Sequence, residues 1–284
     1  MKLKIILGFL FSMFIIFILF FYWFVPFKTI TFEYEPEHSN FNLNQSLENM
    51  QFYQNMRYPN SKISYRIYDC PLQKKNDMQR AFDILENKTI LDFYSVLKEE
   101  EISVTCDSNT KMEGNLFIAG EGGPTNVTLA GDFYVITHGT ILLIRDSKCS
   151  NPNIAIHELL HTLGFEHSEN RKNIMYPISN CEQEIGEDTI ALINEIYKIP
   201  SKPDLICENV SAEINGRYLD ASFNVKNNGL KDSMQSELVI YGDDEIIDKI
   251  EIGSLKIGYG NQIEFKNLWV QRDIKELEFV INYN

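Results

Sequence analysis

The sequence predicts an α+β chain in three parts. One apolar helix comes first, then a mixed domain built around a metal-site helix, then a small all-β sandwich. Three observations predict this. The run between Lys4 and Lys28 carries no charge. The stretch HELLHTLGFEH, from His157 to His167, places histidines at helical spacing ahead of a glycine. Beyond residue 204 helical periodicity stops and apolar residues alternate with polar ones.

The chain has 284 residues, enough for two ordinary domains, and its 44% hydrophobic content is that of a packed protein. A net charge of −14 without a Lys/Arg cluster excludes nucleic acid as the main partner. At 1.5 Å per residue the uncharged N-terminal run is roughly 30 Å long, the thickness of a bilayer core. It ends in FYWFVPFK, with bulky aromatics where a signal-peptide cleavage site needs small residues. Residues 1–28 therefore read as a transmembrane signal-anchor, with Tyr22 and Trp23 in the interfacial belt. Lys2 and Lys4 precede the span, so the N-terminus is expected in the cytoplasm and the rest outside. Residues 29–60, rich in Asn, Gln, Glu and aromatics without clear period, read as a juxtamembrane stalk.

The mixed domain is expected over 61–198. Ile63, Tyr65 and Ile67 alternate with polar residues, which predicts a strand. Pro71 opens a helix over about 71–87, with Met78, Ala81, Phe82 and Leu85 on one face. Short apolar runs follow near 91–97, 102–105, 116–119, 133–137 and 141–144, separated by polar and Gly/Pro-rich segments such as GEGGPTN at 120–126. Asn151 or Asn153 beside Pro152 is expected to cap the next helix. Ile185, Thr189, Leu192, Ile193 and Ile196 form a last helical stripe.

That capped helix carries the chemistry. Residues four apart lie one above the other, so His157 and His161 point the same way. Glu158 lies beside the first of them, close enough to hold a metal-associated water. Gly164 can take positive φ and stop the helix, bringing His167 in from a new direction. Three neutral imidazoles leave a fourth tetrahedral position open, the pattern of a catalytic Zn²⁺. NIMYP follows downstream, with Met175, Tyr176 and Pro177.

HExxHxxGxxH together with this methionine resembles the metzincin metallopeptidases, and most closely their matrixin branch, over about residues 61–198. The resemblance implies one catalytic Zn²⁺ held by His157, His161 and His167, with Glu158 as general base for a zinc-activated water. It also implies Gly164 as the turn, Met175 as the Met-turn residue, and Tyr176 and Pro177 in the wall of a specificity pocket. The implied substrate is a peptide or protein bound as an extended strand along a sheet edge, for which the candidates lie within 114–137. No PRCGxPD-like cysteine switch lies upstream, and the histidine-rich loop of animal matrixins is missing; a Ca²⁺ ion is left open.

Five cysteines in an exported chain suggest two disulfides and one leftover thiol. Cys149 and Cys181 flank the metal helix and Met-turn, Cys70 and Cys106 flank the first helix, and Cys207, the odd one, is expected buried. These four cysteines allow three connectivities.

KIPSKPD supplies a linker, taken as 199–204, before a β-sandwich of about seven short strands over 205–284. FNVKNNGLKDS resembles CARDB-type adhesion modules, so the module is read as a spacer or as a binder of a surface or of substrate. The whole reads as a membrane-anchored, extracytoplasmic zinc endopeptidase. The rival is a non-catalytic cell-surface adhesion protein on the same scaffold, against which an intact Glu158 argues.

Overall fold

The computed structural model describes residues 2–24, 29–31, 50–109, 111–114, 116–271 and 274–283. Helix α1 (Lys2–Phe24) opens the chain, followed by the short strand β1 (Thr29–Thr31). The side chains of α1 are described over 6–20, and all are exposed. Among the described residues no helix is long and apolar enough to cross a membrane.

The mixed domain begins with β2 (Met56–Arg57), β3 (Lys62–Ile67), α2 (Leu72–Lys88), β4 (Asp92–Ser95) and β5 (Ile102–Cys106). A two-stranded ribbon, β6 (Met112–Glu113) and β7 (Leu116–Phe117), leads to the long hairpin β8 (Gly120–Ala130) and β9 (Phe133–Leu143). Helices α3 (Asn153–Thr162) and α4 (Glu187–Ile196) close it. The sheet runs β2-β9-β5-β3-β4 with all these pairs parallel, and β8 adds to β9 as an antiparallel edge. Apolar faces of α2 and α3 cover it, with Met78, Ala81, Phe82 and Leu85 of α2 buried as their spacing requires.

The structure departs from the sequence reading at several points. Part of the supposed stalk is domain core: Met56 and Tyr58 are fully buried, and β2 pairs with β9. The segment 32–49 lies outside the described residues. The Gly/Pro-rich stretch 120–126 belongs to β8, an edge strand inside the 114–137 range expected to hold one. Pro124 is tolerated there because β8 is an edge, where a missing N–H costs no ladder bond. The two apolar runs of 133–144 form one continuous strand through Gly139, where a Cβ would lie 2.5 Å from Thr162 Cγ2.

Arg57 fastens the end of this domain. It is buried, and its guanidinium donates to the carbonyls of Tyr58 (3.0 Å), Pro59 (3.0 Å), Ile199 (3.1 Å) and Ile196 while lying over the Tyr197 ring. The carbonyl of Ile196, the last residue of α4, is one that helix geometry leaves unpaired, so the cation completes that helix end.

The C-terminal module holds β10 (Leu205–Asn215), β11 (Tyr218–Asn227), β12 (Ser236–Gly242), β13 (Glu245–Gly253), β14 (Gly260–Trp269) and β15 (Leu277–Tyr283). Its strands form two sheets, β1-β10-β11-β14 and β13-β12-β15, packed over Leu219, Phe223, Val225, Leu238 and Ile240. A sandwich of seven strands results, but the seventh is β1, contributed from the far end of the chain and not from within the module. Cys207, expected buried, is half-buried there, and burial pushes its thiol pKa up to about 11.

Both cysteine pairs are bonded, Cys70 to Cys106 and Cys149 to Cys181. The second closes a sequence separation of 32 around the metal helix and Met175. Replacing both Cys149 and Cys181 by Ser is expected to lower stability by about 3–4 kcal/mol, from loop-closure entropy. Denaturant titration of the mixed domain measures this, and an unchanged midpoint would show that packing alone holds the segment.

Candidate metal centre

Helix α3 buries nearly its whole length between α2 and the β8–β9 hairpin. Its first turn is not capped as expected: no side chain caps it, and Asn153 Nδ2 donates to the Asn180 carbonyl at 2.7 Å, tying the helix start to the loop after the Met-turn. Its last turn ends at Gly164, whose φ of +96° is open to glycine and strained for other residues. A Cβ there would also lie 2.6 Å from Met56 Cγ and Sδ.

The reversal at Gly164 is held from outside by the segment first read as stalk. Gln51 bridges Phe165 in antiparallel fashion, Phe52 N–H donates to the Gly164 carbonyl at 2.9 Å, and Glu166 N–H donates to the Met50 carbonyl at 3.0 Å. The Phe52 ring stacks on His161 with centroids 5.9 Å apart. Phe52 is a site residue that sequence reasoning missed; nothing in its local pattern marked it.

His157, His161 and His167 converge. Their Nε2 atoms lie 3.0 Å (His157–His161) and 3.1 Å (His161–His167) apart. His157 Nδ1 sits 2.6 Å from the Ile174 carbonyl and His161 Nδ1 sits 2.8 Å from the Phe165 carbonyl. A carbonyl can only accept, so each Nδ1 carries the proton and each Nε2 keeps its lone pair. Burial lowers the pKa of all three imidazoles, that of His161 down to about 4, with His157 beside it as a lesser cause. Neutral lone pairs facing one another at this distance repel unless a cation lies between them. Ligand atoms about 2.0–2.1 Å from a tetrahedral Zn²⁺ lie about 3.3 Å apart, so the donor set fits that ion. Among the described residues no other group of three or more His, Cys, Asp or Glu side chains is brought together in this way.

Glu158 is buried against β8. Burial pushes its pKa up to about 8, with Glu121 adding to the shift; positive charge nearby acts the other way. The strand reaches it only because of two glycines. A Cβ on Gly120 would lie 2.7 Å from Glu158 Cγ and Oε1, and one on Gly122 would lie 2.4 Å from the Glu158 carbonyl oxygen. The Gly-x-Gly spacing, inside the range 114–137 expected to hold the edge strand, is the sequence signal for this contact. Met175 is buried, its carbonyl accepting from Ser168 N–H at 2.9 Å and its N–H donating to Asn173 Oδ1 at 2.9 Å. Tyr176 is half-buried and Pro177 exposed on the loop that follows.

Residues 57–198 match the Matrixin family. The chain belongs to that family. Residues 202–284 match the CARDB family, which agrees with the sandwich observed there. Among curated proteins the chain is similar to the macrophage metalloelastase of Rattus norvegicus, 28% identical over 172 residues. That alignment covers 52% of this chain and 35% of the relative, so the chain spans about a third of that protein's length. A matrixin domain and a metallopeptidase relative support a metallopeptidase, as the sequence reading expected.

The glycines make a sharp prediction. Gly122→Ala drives its methyl into the α3 backbone and is expected to destabilise the domain by about 1–3 kcal/mol. Gly123→Ala, with nothing within 4 Å of its added Cβ, should sit within about 0.5 kcal/mol of the parent. Thermal unfolding of the two variants side by side decides it; equal melting temperatures would mean β8 does not press on α3.

Proposed function

We propose that this chain is a membrane-anchored, extracytoplasmic zinc endopeptidase. The observation that carries the reading is the convergence of three neutral imidazole Nε2 atoms beside a buried carboxyl on one helix. A bound Zn²⁺ would be held by His157, His161 and His167, and it would supply Lewis-acid polarisation of the scissile carbonyl and a lowered pKa for water. The rest of the work falls to the chain. Glu158 takes a proton from the attacking water at its carboxylate and returns it to the leaving amine. Burial of Glu158 under β8 excludes bulk water and favours that return. His157 and His161 are kept in one tautomer by the Ile174 and Phe165 carbonyls. Among the described strands β8 pairs only with β9. Its outer edge, running past Glu158, is the place where an extended peptide would add as a further strand. Tyr176 and Pro177 would wall the pocket beside it. The uncharged N-terminal run supports anchoring, and the lysines before it support an outside location for both domains.

Two outcomes are expected. The full chain should bind one Zn²⁺ and cleave members of a mixed peptide library. Glu158→Gln should keep the zinc and lose about 10²–10⁴-fold in turnover. Zinc stoichiometry with cleavage products by mass spectrometry reads both, and equal inactivity of the two proteins with zinc bound would sink the peptidase reading in favour of a binding protein. Removing the metal with a chelator should also lower the melting temperature of the matrixin domain, by linkage of binding to folding, and added Zn²⁺ should restore it. His161→Ala should show no such response; a chelator effect that survives this substitution would place the metal elsewhere.

A further inference from the structure

The edge strand β1 places one end of the C-terminal sandwich beside the N-terminal helix. In register, Thr29 lies opposite Asn215, Asn215 opposite Tyr218, and Tyr218 opposite Trp269. These four residues form one row across the sheet. Thr29 follows the last residue of α1, Phe24, by five peptide units, which span at most about 18 Å. Whatever surface that helix enters, this row of the sandwich lies close to it.

The row carries the side chains that an interface selects. Tyr218 is 44% exposed and Trp269 53% exposed, although both sit in a sheet whose inward positions, Leu219 and Val270, are buried. The Arg217 guanidinium lies 5.5 Å from the Trp269 ring centroid, and Val270 N–H donates to the Arg217 carbonyl at 2.9 Å. Amphipathic aromatics with a long-stemmed cation favour the headgroup layer, where rings and stems are apolar and tips stay wet.

The opposite end of the same strands faces the matrixin domain. Ala130, Phe133, Val135 and Leu230 are buried together there, and Asn228, just past β11, lies against Gly131 in the β8–β9 turn. Strand β10 has 11 residues, so the two ends are roughly 34 Å apart.

We infer that the Arg217–Tyr218–Trp269 tip of the sandwich rests in the headgroup layer of a phospholipid bilayer, so that the module holds the β8–β9 turn of the matrixin domain one strand-length above it. The inference rests on the anchored reading given above. A zwitterionic bilayer is the surface it fits, since the chain's net charge of −14 opposes an anionic one.

The chain's two tryptophans, Trp23 and Trp269, test this and keep the two readings apart. The full chain is reconstituted in phosphatidylcholine nanodiscs with and without bromine on the upper acyl carbons. In Trp23→Phe the remaining Trp269 emission should be blue-shifted and quenched about twofold by the brominated lipid. In Trp269→Phe the remaining Trp23 should be quenched as well, which reports the anchor. Quenching of Trp23 with red, unquenched Trp269 emission would overturn the inference and leave the anchor standing. No quenching of either would remove both.

Discussion

The donation from His157 Nδ1 to the Ile174 carbonyl joins two stretches that are far apart along the chain, and the site depends on that union. It fixes the tautomer of a candidate metal ligand, and it also ties α3 to the loop that carries Ile174 and Met175. The matching bond from His161 to Phe165 does the same for the reversal at Gly164. Each imidazole therefore reports on the backbone that delivers the next part of the site. The Cys149–Cys181 disulfide and the Asn153–Asn180 bond close the Met-turn loop from its two ends, which limits its shifts.

Close approach is the second constraint. Gly120 and Gly122 let a strand lie on the carboxyl and backbone of Glu158, and Gly139 lets β9 pass Thr162. The edge strand and the metal helix are thus spaced by backbone contact rather than by interposed side chains. Packing at this distance raises the Glu158 pKa by desolvation, so one geometric choice sets both strand position and acid–base character. The nearest acidic neighbour, Glu121, is itself paired with Lys111 at 3.0 Å, an exposed contact of small energetic weight.

The metal helix was legible in the sequence because its information is local: i, i+4 spacing, a glycine stop and a third histidine within one turn of chain. The flanking cysteines were legible for a similar reason, since each pair brackets a single element. Residues 50–58 were not, because Phe52, Met56 and Tyr58 have meaning only against Phe165, His161 and β9, which lie about 80 to 110 positions on. Strand β8 was legible only to within 114–137, its glycines and proline being turn signals in isolation and edge-strand contacts in the fold. Strand β1 was hidden by distance, since three residues beside an apolar helix complete a sheet formed at the other end of the chain.

That last pairing changes how the C-terminal module relates to the metal site. Its far end does not hang from a linker. Gly258 has φ of +74° and approaches so closely that a Cβ would lie 2.3 Å from Thr128 Cγ2, within β8. Phe133 and Val135 of β9 are buried with Leu230 of the module at the same place. The hairpin whose near end lies on Glu158 therefore has its turn braced by the sandwich. Burial of these residues contributes to the order of β8 along its whole length, because a hairpin's register is set jointly by its turn and its ladder. The position of the β8 edge is in this sense a product of both domains.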